Sequence, residues 1–530
     1  MNRNSSNYPN ATAIITTAIL VLLIPWLGET LFNSKGEPRE AIVAVSMLQS
    51  GDWVLPVNYG GDIPFKPPFL AWLIAVFAKI FNGGVVNEFI SRLPSALAAF
   101  AMTMTGYFWA RRIRGTRFAM IFALVTITSF EVFRAAMACR LDMVLTACMV
   151  MGMYMLYDLR ERHLRNRGLR YATVIMLFTC ATLTKGPIGS LLPCFVMGVY
   201  SLLRGDRFFQ TLFRMLGIAL AALVIPAWWC WEAYQQGGQH FLELSWEENF
   251  GRLFNNMSYE SHENPFWYNF LTILAGMTPW TLLALLSLGN TRHFRRRPLK
   301  PAGLLSATAF VLIVGFYCIP ASKRSVYLLP AYPFICYGLT CLIEGLAGCK
   351  TLKAFTWIMS ILAVTVPLTF IALHFFPLDI LPLAPSPWWR YIILLIPVAC
   401  GIAWMLNRHS PTGHALVIVL SILLAYSAVV MPAVLNPRSD AKALPELTAC
   451  PDTRIYSLGE DIRLFTLNYY LDDTIRPVAT VAEADSLPSG SIVLFLSDAD
   501  STGISRNFDT RMLLKRNCDF RHPLYIATRK

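Results

Sequence analysis

AFTWIMSILAVTVPLTFIALHFF, residues 354–376, decides the fold class. The stretch carries no Asp, Glu, Lys or Arg. Wound as a helix at about 1.5 Å per residue, it is long enough to cross a hydrocarbon core of roughly 30 Å. Lipid offers the backbone no hydrogen bonds, so a run of this kind crosses as a helix that satisfies its own N–H and C=O groups. Working outward, Leu212 to Trp231 and Ala11 to Leu27 read the same way. The composition agrees with them. Hydrophobic residues make up 55 % of the 530 and charged residues only 15 %, with a mean hydropathy of +0.49. That is too apolar and too poor in charge for an ordinary soluble chain.

The net charge of +13 does not point to nucleic acid. The positive residues gather in short loops between apolar runs, as in RRIRGTR (111–117), RERHLRNRGLR (160–170) and TRHFRRRPLK (291–300). This is the pattern of cytoplasmic loops. Placing these loops inside settles one ambiguous segment. Pro68 to Phe81 is apolar but short for a span, and if it crossed, the three clusters would lie outside. It is therefore expected to lie in the outer interface. The expected spans are 11–28, 91–111, 117–134, 141–158, 171–185, 187–203, 212–232, 267–288, 301–320, 325–345, 354–376, 389–406 and 413–432. An all-α polytopic bundle of about thirteen helices results, in a bacterial inner membrane, with the N-terminus cytoplasmic and the C-terminus periplasmic. No cleavable signal peptide is expected after the first run.

Two outer loops are long, 29–90 and 233–266, which places function on the periplasmic side. After the bundle domain, 1–434, charge rises and the apolar runs shorten. Residues 435–530 are expected to form a small soluble α/β domain, with strands at 455–458, 475–478, 491–496 and 524–528 and helices near 461–470 and 482–486. Most of the twelve cysteines lie in apolar runs and none forms a CxxC pair, so they read as small buried hydrophobes. Cys450 and Cys518 sit in the tail, where an oxidising periplasm would permit a disulfide.

Ionisable residues at membrane depth are costly, and so point to function. On the expected outer face they fall into two chemical groups. Lys66, Lys185, Arg252, Lys323 and Arg324, with the hydroxyl of Tyr327, suit a phosphate at the membrane surface. Glu37 and Asp142 suit proton transfer from an incoming hydroxyl. Arg39 and His262 stand beside these residues as further candidates for substrate contact. The plainer readings are ion pairs of Glu37 with Arg39 and of Asp142 with Arg140, lysines snorkelling to headgroups, and a loop histidine. A transporter or flippase of polyprenyl-linked sugars is the alternative function. Transporters usually show internal repeats and charges at mid-depth, whereas no repeat stands out here and the charges gather at one surface.

The stretch GEPREAIVAVSMLQSGDWVLPVNYGGDIPFKPPFLAWL (36–73) resembles the first periplasmic loop of bacterial polyprenyl-phosphate-sugar glycosyltransferases. These form the GT-C superfamily group that includes protein O-mannosyltransferases and lipid A aminoarabinose transferases. SRLPSALAAF (91–100), RLDMVLT (140–146), LTKGPIG (183–189), ENPFWYN (263–269) followed by PW, and SKRSVYLLPAYP (322–333) follow the same pattern in order. The resemblance covers roughly residues 10–435 and implies a sugar donor linked to undecaprenyl or dolichyl phosphate. It also implies transfer outside the membrane, usually with inversion, to lipid A, another glycolipid or glycan, or a protein. By position, Glu37 would be the first-loop catalytic acid and Asp142 the second, while Lys66, Arg252 and Tyr327 would hold the lipid phosphate. The chain departs from the aminoarabinose transferases in three places. Gly36 precedes Glu37 where an Asp is usual, Phe65 stands where a Glu is usual, and Asn249 replaces a His. No metal and no cofactor are therefore expected.

Overall fold

The computed structural model describes residues 10–247, 263–289, 299–376, 383–448, 454–459, 464–496 and 507–530. It is mostly helical, and a helix occupies the body of each of the thirteen intervals expected to span. Among the described residues, seven helices are long and apolar enough to cross a membrane. Two further pairs, Thr116–Thr128 with Phe130–Ala136 and Tyr268–Gly276 with Trp280–Ser287, are bent by 67° and 108° and bring the number to nine. Two of the remaining intervals hold helices shorter than that length test. The other two hold Glu88–Arg114 and Arg167–Lys185, long helices with basic residues near one end.

The first ten helices position the site. They are α1 (Ala11–Leu23), α2 (Gly36–Ser50), α3 (Phe69–Phe81), α4 (Glu88–Arg114), α5 (Thr116–Thr128), α6 (Phe130–Ala136), α7 (Leu141–Glu161), α8 (Arg167–Lys185), α9 (Ile188–Leu203) and α10 (Phe208–Trp246), the last kinked at Gly238. Helix α7 runs through the middle of the bundle, where Tyr154 stacks on Trp109 of α4 at 4.5 Å. Charge is absent from this core and collects at its two ends. At one end Arg112 pairs with Asp158, Arg114 with Glu344, Arg160 with Asp206 and Arg204 with Glu161. This end contains the basic loops that follow α4 and α7. The first turns of the same two helices lie at the other end, and they carry Arg92 and Asp142. Twenty residues separate Arg92 from Arg112, about 30 Å of helix, so the two charged ends are a membrane thickness apart.

Helices α2 and α3 pair over the second end. Ala41, Ala44 and Met47 pack on Leu70, Ile74 and Ala78, above Ile90 of α4 and Leu141 and Val144 of α7. Helix α3 is about 20 Å long, too short to span. It leaves Val76, Ile80 and Phe81 exposed on its far side, the two-faced pattern of a helix lying in an interface.

The C-terminal region forms a five-stranded sheet in the order β2-β1-β3-β5-β4. Its strands are β1 (Ile455–Leu458), β2 (Ile475–Val478), β3 (Ile492–Phe495), β4 (Phe508–Leu514) and β5 (Leu524–Arg529). Strands β1, β2 and β3 are parallel, and β5 and β4 run antiparallel to their neighbours. Sequence reasoning missed β4. It is an edge strand with exposed charged positions and a bulge between Met512 and Leu514, which breaks the period-2 signal. Cys450 lies outside the described residues, and so does the disulfide that the sequence would permit it to form with Cys518.

This domain docks on the first loop through two adjacent tyrosines. The Phe32 N–H donates to the Tyr470 hydroxyl at 2.9 Å, which itself donates to Glu88 at 2.6 Å, and the Tyr469 hydroxyl donates to the Val86 carbonyl at 2.7 Å. Beside them the Lys35 ammonium sits 4.1 Å from the centre of the Phe520 ring. Asp519, next to Phe520, is buried and accepts from the Thr466 N–H at 3.0 Å and the Thr466 hydroxyl at 2.7 Å. Burial pushes its carboxyl up to about 6; the Thr466 bonds pull it down and the nearby Asp440 pushes it up. The unfolded value is near 4, so the protonated folded form is favoured. The stabilisation is complete below about pH 4 and is lost as pH rises through about 6. Asp519→Asn keeps a donor and an acceptor for Thr466. It is expected to raise the melting temperature at pH 7.5 and to flatten the pH dependence between 4 and 6, measured by thermal unfolding of the detergent-purified chain. An unchanged profile would remove Asp519 from the account.

Candidate active site

The site lies where the first turns of α2 and α7 meet the loop before α3 and the tip of the α8–α9 hairpin. Each piece follows from local sequence. Gly36 opens α2 after the half-buried polar stretch Asn33-Ser-Lys35, and Gly51 closes it with a left-handed φ of 78°, a helix stop that glycine adopts without strain. Pro67 and Pro68 follow Lys66 and keep it out of helix α3, at a bend in the chain ahead of it. The motif Thr184-Lys-Gly-Pro makes the hairpin tip, where Gly186 has a φ of 81° and presents Lys185 at the end of α8. A Cβ on Gly189 would lie 2.3 Å from the Ala181 carbonyl carbon, so the close approach of α8 and α9 depends on that glycine.

Two carboxylate–lysine pairs define the site. The Lys66 ammonium donates to Glu40 at 3.1 Å, and the Arg39 guanidinium donates to the same oxygen at 2.9 Å. The Lys185 ammonium donates to Asp142 at 2.5 Å and stands 4.0 Å from the centre of the Tyr327 ring. Tyr327 leans on Tyr317, with ring centroids 5.7 Å apart. Lys66 and Arg140 also act electrostatically on Asp142, which joins the two pairs into one cluster. Asp142 sits in the first turn of α7, where the helix dipole favours negative charge. Arg39 and Arg324 lie close enough to Lys35 to lower its basicity, though burial is the larger cause. The Nε of Arg140 is buried with no hydrogen-bond partner among the described residues. Burial pushes the Glu40 carboxyl up, but Lys66 and Arg39 outweigh it and hold the group below the usual carboxylate range.

Glu37 is placed differently from the sequence expectation. It is 4 % exposed and gripped by Arg92 of α4. The guanidinium Nε donates to one carboxylate oxygen at 2.8 Å and Nη2 to the other at 3.2 Å, and the Cys139 N–H donates at 2.9 Å. Arg92 spends its remaining donors on the Leu27 carbonyl and on the carbonyl and hydroxyl of Thr30. Burial pushes the Glu37 carboxyl up, and Arg92 and Cys139 more than reverse that. A carboxylate with three donors, enclosed from solvent, is a poor proton acceptor. Its contacts fasten α2 to α4 and to the 137–140 turn. The Glu37–Arg39 and Asp142–Arg140 pairs weighed from sequence give way to Glu37–Arg92 and Asp142–Lys185.

Lys323 is also turned away from the cluster, since its buried ammonium donates to the Pro320 carbonyl at 2.6 Å and the Ala321 carbonyl at 3.4 Å. Arg324 beside it is exposed. Arg252 and His262 lie outside the described residues. Sequence reading passed over Glu40 and Arg92, although both had a signal. Glu40 is one turn after Glu37 on the same helix, and Arg92 is an arginine entering an otherwise apolar run. Among the described residues, no three His, Cys, Asp or Glu side chains cluster as metal ligands.

Known proteins share this arrangement of helices. The family described as dolichyl-phosphate-mannose-protein mannosyltransferase matches residues 65–231, which include Lys66, Arg92, Asp142 and Lys185. An uncharacterized protein of Aquifex aeolicus is 27 % identical over 84 % of each chain. An undecaprenyl phosphate-alpha-4-amino-4-deoxy-L-arabinose arabinosyl transferase of Edwardsiella ictaluri is 25 % identical over 62 % of this chain. The matched part is 58 % of that relative's length, less than two thirds of it. The crystal structure of ArnT from Cupriavidus metallidurans bound to undecaprenyl phosphate superposes with a TM-score of 0.75 at 19 % identity, covering 98 % of both chains. At that identity the likeness is one of fold.

Proposed function

We propose that this chain, a glycosyltransferase of the GT-C superfamily, moves a sugar from an undecaprenyl-phosphate-linked donor to an acceptor at the periplasmic face of the bacterial inner membrane. The observation that carries the reading is the pair of carboxylate–lysine couples, Glu40–Lys66 and Asp142–Lys185, at the end of the bundle opposite the basic loops. The positive-inside rule puts those loops, and with them the N-terminus, in the cytoplasm. Thirteen crossings then leave the site and the C-terminal domain outside. Mannosyltransferase and arabinosyl transferase relatives both support sugar transfer from a polyprenyl phosphate.

Each lysine is poised to change partners. A lipid phosphate entering between α2 and α7 draws Lys66 and Lys185 toward its oxygens, with Arg39, Arg324 and the Tyr327 hydroxyl supporting it. Glu40 and Asp142 are thereby released as bases. The acceptor hydroxyl attacks the anomeric carbon, its proton passes to Asp142, and the bond from that carbon to the phosphate oxygen breaks. The lipid phosphate leaves with the electron pair, its negative charge held by fixed cations. Glu37 and Arg92 keep α2 in place against α4, and Arg252 is retained as a further phosphate ligand. Lipid A, another glycolipid or glycan, and a protein are the acceptor classes to be offered.

The test is transfer from synthetic undecaprenyl-phosphate sugars by the purified chain in lipid nanodiscs, with lipid A and extracted membrane glycolipids as acceptors. Turnover is expected with one of them. Lys66→Ala is expected to raise the KM for the donor roughly tenfold or more, the worth of a charge-assisted hydrogen bond. Tight carrier binding with no transfer to any acceptor would instead identify a carrier-lipid transporter.

A further inference from the structure

A second site opens on the outer side of α2, where the first loop meets the C-terminal domain. A cavity of about 510 Å³ is lined by Ser46, Gln49, Asn58, Tyr59, Asp472 and Asp473, with Arg476 at its edge. Val57 is its one sizeable apolar side chain. The wall is organised. The Tyr59 hydroxyl donates to Asp472 at 2.6 Å and accepts from the Gln49 amide at 3.3 Å, while Arg476 pairs with Asp473 at 3.1 Å. Two groups on this wall have spare capacity. The Ser46 hydroxyl, on a residue only 3 % exposed, and the side-chain amide oxygen of Asn58 are buried with no hydrogen-bond partner among the described residues. A buried polar group left unsatisfied costs about 1–3 kcal/mol, and an incoming ligand that bonds to it recovers that cost.

We propose that this cavity binds a neutral, hydroxyl-rich saccharide and serves as a subsite for a glycan acceptor. The lining selects that chemistry. Hydroxyl, amide and carboxylate groups at close spacing match the alternating donors and acceptors of a sugar ring. The two carboxylates repel a phosphate, and the guanidinium that would offset them is already paired. A peptide would need an apolar floor for its side chains, which the cavity lacks. Ser46 lies six residues beyond Glu40 on the same helix, about 9 Å along its axis and roughly 120° around it. A glycan seated here reaches the Glu40–Asp142 cluster by extending along and around α2, so the subsite suits an acceptor longer than one ring. The word acceptor rests on the transferase reading above, but the binding itself does not.

The experiment is saturation-transfer NMR on the full chain in nanodiscs, with cellobiose, glucose 6-phosphate and a serine-rich hexapeptide as separate probes. Gln49→Trp, at an exposed position on the cavity wall, fills the cavity and leaves the core alone. Its tryptophan-fluorescence response to undecaprenyl phosphate checks that the chain is folded. Saturation transfer to cellobiose, at least fivefold weaker in Gln49→Trp, with no transfer to the other two probes, is the expected result. No transfer to cellobiose, an equal signal in the variant, or a preference for the phosphosugar or the peptide would each overturn the proposal. If the transferase reading fails while this one holds, cellobiose still binds and donor turnover is absent. The opposite failure leaves turnover intact with no saccharide bound.

Discussion

Arg92→Leu is expected to cost about 3–5 kcal/mol of stability, the loss found when one partner of a buried ion pair is removed. Arg92 is 1 % exposed and donates five hydrogen bonds, two of them to Glu37. Without it, the buried Glu37 carboxylate keeps only the Cys139 N–H as a donor, and the Leu27 and Thr30 carbonyls lose theirs. Arg92→Lys is expected to rescue little, because one ammonium cannot replace a planar fork that engages a carboxylate and two carbonyls together. The double variant Glu37→Leu/Arg92→Leu removes both charges and is expected to recover part of the loss. It stops short of wild type because Thr30 and the Cys139 N–H remain unsatisfied. Thermal unfolding of the detergent-purified variants measures all three. The pair also sets an acid limit. Because the Glu37 carboxyl is held below its unfolded value, its contribution is present above about pH 4.3 and is lost as pH falls through the folded value. If Arg92→Leu melts within a degree or two of wild type, the pair is not a fastener. A loss of turnover in Glu37→Gln would then argue for the catalytic role read from sequence.

Asp142→Asn should lower kcat by roughly 10²–10⁴, the usual worth of a positioned general base, with the donor KM changed only a few-fold. The amide keeps an oxygen for the Lys185 ammonium, so the hairpin tip and the α7 start should keep their geometry. Only the capacity to take a proton at neutral pH is removed. The split between kcat and KM separates the two roles open to Asp142. A residue that merely held Lys185 for the phosphate would raise the donor KM when altered, and at saturating donor would leave kcat near wild type. Steady-state transfer assays over a range of donor concentrations read this directly. A kcat within threefold of wild type would shift the base role to Glu40, the other carboxylate in the cluster.

The membrane character, the placement of helices along the chain and the shortness of helix α3 were all determined by the sequence alone. Each depends on the length of apolar runs and the placement of Lys and Arg, and lipid permits few answers to those constraints. The paired Lys66 and Lys185 and the acid Asp142 were also legible, because ionisable residues are conspicuous in so apolar a chain. Which carboxylate faces the cluster was not legible. Glu37 and Glu40 lie one turn apart on α2, and nothing local says that the first meets Arg92 of α4 while the second meets Lys66. The packing of α2 against α4 and α7 decides that, through contacts 26 to 55 residues apart in the chain. Lys323 turned inward for the same reason, its ammonium taken by carbonyls of its own loop. The polar cavity beside Ser46 needs two domains to exist, so no run of sequence announces it. Helices in lipid follow from local composition, whereas the partner of a buried charge follows from which helices meet, and that is settled only when the chain has packed.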